Sequence, residues 1–148
     1  MIHERVLLLE PESRLIMKLT IALCFLTAAI LPSFAQDKLS ESVTRGQQVY
    51  LSNCMSCHME NGEGVEGAFP PLIKTDYVTG DITQLVNIIL NGQTGEIKVN
   101  GEVYNMDMPA QSHLSDEEIA DVANYIRNSW GNKSKKAVSP ENVRTLRK

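Results

Sequence analysis

A five-residue motif, Cys54-Met55-Ser56-Cys57-His58, limits what this sequence can fold into more than any other feature. Two cysteines three positions apart lie on one turn of a helix, and the histidine that follows presents its imidazole beside them. Such a cluster is typical of three kinds of site: a dithiol redox pair, a zinc site, or covalent haem attachment. The compartment and the surrounding pattern distinguish them.

The N-terminal part of the sequence predicts export. Lys18 is followed by an almost wholly apolar run as far as Leu31, and small residues stand one and three positions before a cleavage point after Ala35. The apolar run is short for a bilayer span. A signal peptide over residues 17–35 is therefore favoured over an uncleaved membrane anchor.

Upstream of that signal, residues 1–16 mix acidic and basic side chains in a way that suits no signal peptide. We interpret them as preceding the true start at Met17, with a short N-terminal helix as the alternative. Cleavage after residue 35 would remove three of the 14 basic and three of the 18 acidic residues, so the net charge would stay at −4. It would also remove Cys24. The exported chain is then mildly acidic, which argues against nucleic-acid binding, and keeps only the two cysteines of the motif.

An exported chain with these two cysteines favours haem over the other two sites. A dithiol redox pair is expected in a βαβ context, whereas the pattern here is helical and glycine-rich. A zinc site needs a fourth ligand, for which only His113 is left. Each thiol can add to one haem vinyl group, and His58 can then ligate the iron. We therefore predict one haem c, attached through Cys54 and Cys57.

Hydrophobic periodicity predicts three main helices and one hairpin in a single domain, residues 36–132. Residues 36–42 are expected as a polar lead-in, and residues 133–148 as a basic C-terminal tail, solvated rather than used for docking, with a short helix after Ser139. The main helices are expected over about 43–54, 81–90 and 115–128, and the hairpin over 96–104 with Asn100-Gly101 as its turn.

The chain resembles the class I c-type cytochromes over most of residues 43–132. Besides the haem motif, Gly46 and Tyr50 match the glycine and the aromatic residue of the family's N-terminal helix, and Val122 and Tyr125 match the pair in its C-terminal helix. The resemblance implies an all-α cytochrome c fold with three main helices around a covalently bound haem. A small β-hairpin insertion before the axial methionine loop is expected in addition.

The resemblance also implies a sixth iron ligand from the loop before the C-terminal helix. Met108, which is followed by Pro109, fits best. A thioether is a soft, neutral ligand that favours ferrous iron and raises the reduction potential. Met106, His113 and an open coordination position are the alternatives.

Further roles around the haem are implied by the same resemblance. The carbonyl of Pro70 is expected to accept a hydrogen bond from His58, and Leu72 to pack on the haem. Phe69 is equally compatible with the haem wall and with ordinary core packing, and Trp130 is compatible with either the core or a haem propionate. Three glycines are expected to let their loop pass close to the macrocycle, with a flexible turn as the alternative: Gly62, Gly64 and Gly67.

For function, the resemblance implies a periplasmic or secreted mono-haem electron carrier with a low-spin, His/Met-ligated iron, and no enzyme activity. Periplasmic redox proteins are the expected partners, such as a dehydrogenase, a nitrite reductase or a terminal oxidase. No nucleic acid is expected, and a membrane only through a partner or an uncleaved signal. The alternatives are a ligand-binding or peroxidase-like protein with a labile distal methionine, and a dedicated cytochrome subunit of a larger periplasmic oxidoreductase.

Overall fold

The computed structural model describes residues 31–147 of the chain. Residues 1–16 and the predicted signal peptide before Leu31 lie outside that range. The chain divides into two compact units, Met1–Lys38 and Leu39–Lys148, and the main hydrophobic core lies in the second. Within the described range, no helix combines the length and the apolarity that a membrane span requires.

The described residues form six helices and one two-stranded sheet. The helices are α1 (Leu31–Asn53), α2 (Met55–His58), α3 (Asp76–Thr79), α4 (Ile82–Asn91), α5 (Asp116–Ile126) and α6 (Pro140–Arg144). Antiparallel strands β1 (Ile97–Val99) and β2 (Glu102–Tyr104) form the hairpin between α4 and α5. The expected fold class, all-α with three main helices and a small hairpin, is confirmed.

Helix α1 begins earlier than the sequence predicted. Residues 36–42, which were expected to be a polar lead-in, are part of the helix. This segment contains neither glycine nor proline, and polar side chains alone do not end a helix. Its last residue, Ser42, is buried and donates a hydrogen bond to Asp121 of α5 at 2.6 Å. Arg45 pairs with the same carboxylate at 2.6 Å. The polar face of α1 thus has partners on α5.

The hairpin and the start of α5 form as their local sequences predict. Asn100 and Gly101 both have positive φ angles, 50° and 98°, as the tightest hairpin turns require. Ser115 and Glu118 form the expected capping box, each bonding the backbone N–H of the other. The helix ends at Ile126, however, two residues earlier than predicted.

Helices α1 and α5 cross closely at Gly46. A Cβ atom at this position would lie 2.0 Å from the carbonyl oxygen of Asp121 and 2.9 Å from the Cβ of Tyr125. One turn further along α1, the fully buried Tyr50 packs against Tyr125 and Trp130, with ring centroids 5.3 and 5.0 Å away. Trp130 therefore packs against the core.

The C-terminal segment, residues 133–147, packs against the domain. Val138 and Val143 are buried at 3% and 0% exposure and belong to the main hydrophobic core. The buried side chain of Asn124 in α5 bonds both the N–H and the carbonyl of Val138, at 2.7 and 2.8 Å. The prediction of a solvated tail is wrong here, because the spaced apolar residues form a stripe that outweighs the basic charge. The lysines themselves are exposed: Lys133, Lys135 and Lys136.

Candidate haem site

A cavity opens beside the cysteine motif, and Cys54, Cys57 and His58 line one part of it. The remaining walls come from the loop after α2, from α3, α4 and α5, from the hairpin and from the loop that follows it. Most of these wall residues are apolar, among them Phe69, Pro70, Pro71, Leu72, Val78, Leu85, Ile89, Ile97, Val99, Leu114, Val122 and Ile126. A large apolar cavity with two thiols, an imidazole and thioethers in its wall fits a haem.

The end of α1 and the single turn α2 hold the motif in place. The N–H of Cys54 still bonds the carbonyl of Tyr50 at 2.9 Å, and the N–H of His58 bonds the carbonyl of Cys54 at 3.0 Å. The two cysteines are not joined in a disulfide, and both are half-buried. Burial raises the pKa of Cys54 to about 11, and neighbouring Cys57 acts in the same direction. The thiolate that disulfide exchange uses is therefore disfavoured, which argues against a dithiol redox pair.

His58 is buried, and its orientation is fixed by one hydrogen bond. Its Nδ1 atom lies 2.9 Å from the carbonyl oxygen of Pro70. A carbonyl only accepts, so Nδ1 carries the proton and donates, and Nε2 of the neutral ring keeps its lone pair. Burial lowers the pKa of His58, outweighing the opposite effect of the Pro70 bond. The imidazole is thus neutral and positioned as a metal ligand needs, with the contact that the resemblance implied.

Two of the three glycines after the motif, Gly62 and Gly64, approach other parts of the protein closely. Gly62 and Gly64 have positive φ angles, and neither lines the cavity. A Cβ on Gly62 would lie 2.5 Å from the Trp130 ring, and one on Gly64 would lie 2.3 Å from the carbonyl oxygen of Phe69. Their close approach is to the protein itself. It brings the backbone that carries the Pro70 carbonyl within reach of His58.

The three candidates for the sixth ligand lie in different environments. Met108 lines the cavity, is half-buried, and exchanges two backbone hydrogen bonds with Gln93, at 2.9 and 3.0 Å. Met106 also lines the cavity, but it is 56% exposed. His113 is exposed and lies outside the cavity wall. Gly92 permits the pairing of Gln93 with Met108, since a Cβ there would lie 2.4 Å from the Met108 carbonyl oxygen.

Sequence reasoning missed helix α3 and the arginine that holds it. Tyr77 and Val78 of this helix line the cavity, and Thr75 caps its start by accepting from the N–H of Val78. Arg127 is buried, and it donates to the carbonyl oxygens of Val78 and Gly80 at the end of the helix, at 2.7 and 3.3 Å. Burial lowers the pKa of Arg127. The Thr-Asp pair that opens α3 is a capping signal, but four residues are too few for a periodic pattern.

Comparison with known proteins gives one family match. The family model described as cytochrome c matches residues 43–130. Cytochrome c-552 of Thermus thermophilus is 38% identical over 112 residues, which cover 69% of this chain and 83% of that protein.

Two further relatives are cytochrome subunits. The cytochrome c subunit of alcohol dehydrogenase (quinone) from Gluconobacter oxydans (strain 621H) is 42% identical over 105 residues, 69% of this chain. The gluconate 2-dehydrogenase cytochrome c subunit of Pantoea cypripedii is 37% identical over 106 residues, 70% of this chain. The match spans only 22% and 24% of those two subunits.

Proposed function

This chain belongs to the cytochrome c family, and from that premise we propose that its haem is a low-spin His58/Met108 centre in an exported one-electron carrier. Members of this family bind haem c covalently and transfer electrons, and in this chain Cys54 and Cys57 are the cysteines that attach the haem. The haem, when bound, supplies the reversible one-electron chemistry of its iron. The observation that carries the proposal is the apolar cavity lined by the motif and by Met108.

On one axial side, the chain would provide the Nε2 atom of His58. Because Nδ1 donates to the Pro70 carbonyl, the ring cannot rotate freely, and the nitrogen with the lone pair is the other one. Burial keeps the imidazole neutral. These two effects let the iron ligand form without a proton having to leave it at neutral pH.

For the other axial side we propose the Sδ atom of Met108. Its backbone is paired with Gln93 directly after α4, so the loop is held to a fixed part of the scaffold. Met106 has the same chemistry, but more than half of its surface faces solvent. A half-buried thioether on a pinned backbone loses less conformational entropy on ligation than an exposed one, which favours Met108.

The test of this ligand set compares Met108→Ala with Met106→Ala in the haem-loaded protein. Met108→Ala should abolish the sulfur-to-ferric-iron charge-transfer band and lower the reduction potential, because a thioether stabilises ferrous iron. Met106→Ala should keep the band at full intensity. Loss of the band in the Met106 variant, or its survival in the Met108 variant, would contradict the assignment.

An iron with both axial positions filled offers no position for a substrate, and we therefore propose that the protein is a carrier and not an enzyme. Carbon monoxide should bind poorly to the reduced protein without denaturant and readily to its Met108→Ala variant. Ready binding to the unaltered protein would favour the ligand-binding or peroxidase-like alternative.

A second candidate, a dedicated subunit of a larger oxidoreductase, is favoured by two of the relatives, which are dehydrogenase cytochrome subunits. The free carrier is favoured by the match to 83% of cytochrome c-552. Gel filtration of protein from its native source distinguishes them: a free carrier elutes at the size of one small domain, and a subunit elutes with its enzyme. A mature N-terminus at Gln36 would support export, and an intact Met1 would contradict it.

A further inference from the structure

The C-terminal segment lies beyond the family match, which stops at residue 130, and yet it contacts the loop that carries Met108. Arg147 makes this contact. Its guanidinium donates to the carbonyl oxygens of Ser112 and Leu114, at 2.9 and 2.7 Å, and to the carboxylate of Asp116 at 2.8 Å. Arg147 thus bonds every second residue from the methionine loop to the start of α5: Ser112, Leu114 and Asp116.

The loop from Met108 to α5 is held from two sides. On the α4 side, Gln93 pairs with Met108 and the N–H of Gln111 bonds the carbonyl of Ile89 at 2.9 Å. On the other side, Arg147 binds the carbonyls of Ser112 and Leu114. Leu114, whose carbonyl receives the shortest of these bonds, is buried and lines the haem cavity.

We propose that Arg147 is a positioning residue that keeps the Met108 loop closed over the haem and so restricts dissociation of the axial methionine. Hydrogen bonds from a charged donor are about twice as strong as neutral ones, and the planar guanidinium fits two carbonyls and a carboxylate at once. The inference rests on the proposed ligation by Met108. It assigns to the C-terminal segment a function in tuning the iron site, through the loop and not through contact with the haem.

A neighbouring arginine provides a matched control. Arg144 also pairs with Asp116, at 3.4 Å, and with Glu141 at 3.1 Å. It makes no bond to the loop carbonyls, and its side chain is 66% exposed against 32% for Arg147. Removing either arginine removes one positive charge beside Asp116. Only the removal of Arg147 also breaks bonds to the loop carbonyls.

The experiment titrates the ferric, haem-loaded protein with imidazole, which competes with the methionine for the iron. The charge-transfer band reports the fraction still ligated by sulfur. Arg147→Gln should bind imidazole about tenfold more tightly than the unaltered protein, since the loop opens more easily once the charge-assisted bonds are gone. Arg144→Gln should stay within about twofold. Arg147→Lys, which keeps the charge but loses the planar donor set, should fall between them.

The outcomes separate this inference from the ligand assignment. Absence of the band in the unaltered protein would refute the ligation by Met108, whatever the variants do. With the band present, equal imidazole affinity in the Arg147 variants and the unaltered protein would overturn the positioning role. An equal effect of Arg144→Gln would also overturn it, by showing a general charge effect. Should Arg147→Gln fail to yield folded protein, Arg147→Lys gives the same comparison with a smaller expected change.

Discussion

Replacing Gly46 with alanine adds one methyl group at the point where α1 and α5 are closest. The new Cβ would lie 2.0 Å from the Asp121 carbonyl oxygen, whereas ordinary contacts begin at 3.4 Å, so the helices must separate by about 1.4 Å. The obstructing atom is backbone and cannot rotate away. Overpacking of this kind costs up to about 3 kcal/mol, and alanine returns about 1 kcal/mol of helix propensity. We expect the free energy of unfolding to fall by about 2 kcal/mol.

The same change should reach the haem site, because Tyr50 and Cys54 follow Gly46 at intervals of four residues on the same face of the chain. Guanidinium unfolding of the haem-loaded protein measures the loss of stability. Gln47→Ala, at the next and exposed position of α1, is the control and should change stability by less than about 0.5 kcal/mol. If Gly46→Ala is as stable as the Gln47 variant, the close crossing is not what the structure describes and the reasoning fails.

Three other predictions test separate parts of the molecule. Replacing Cys54 and Cys57 together with alanine should leave no haem after acid extraction, and retained haem would contradict covalent attachment. Val143→Ala should cost about 2 kcal/mol in chemical unfolding, whereas Lys135→Ala, an exposed change in the same segment, should be neutral. Bonds from Ser115 lower the pKa of Glu118 in the folded state, so its stabilising effect should be complete above the unfolded pKa of about 4.3 and disappear as pH falls through the lower folded value. Unfolding curves from pH 3 to 6 should show a smaller pH dependence for Glu118→Gln, and parallel dependences would contradict this.

Features set by short-range chemistry were predictable from the sequence. The capping box at Ser115 and the Asn100-Gly101 turn each need only a few neighbouring residues, and both form as expected. The haem motif is similarly local. The crossing of α1 and α5 is a long-range feature, which hydrophobic periodicity alone does not predict.

Features that depend on a distant partner were harder to predict. Residues 36–42 lack any helix-breaking residue, but Asp121 and Asn124, the buried partners of Ser42, lie far along the chain. The C-terminal segment has a basic composition that is typical of a solvated tail, and its burial depends on Asn124 bonding both backbone groups of Val138. Neither partner is recognisable from the sequence around the segment it stabilises.

The proposed axial ligand lies in the loop before α5. It is the site residue that the sequence identifies least clearly, and its position depends on contacts with distant parts of the chain. The sequence offers two methionines, Met106 and Met108, with the same chemistry. Apart from Pro109, which follows Met108, what distinguishes them is the path of the backbone between α4 and α5. That backbone is held by Gln93 on one side and by Arg147 on the other. If both contacts are required, a variant that lacks the Arg147 bonds should loosen the methionine while the cysteines and His58 keep the haem in place, because those residues are positioned by the end of α1, by α2 and by the Pro70 carbonyl. If Met108 is the ligand as proposed, covalent attachment and axial ligation are then separable: the first depends on the local motif, and the second depends also on the C-terminal segment.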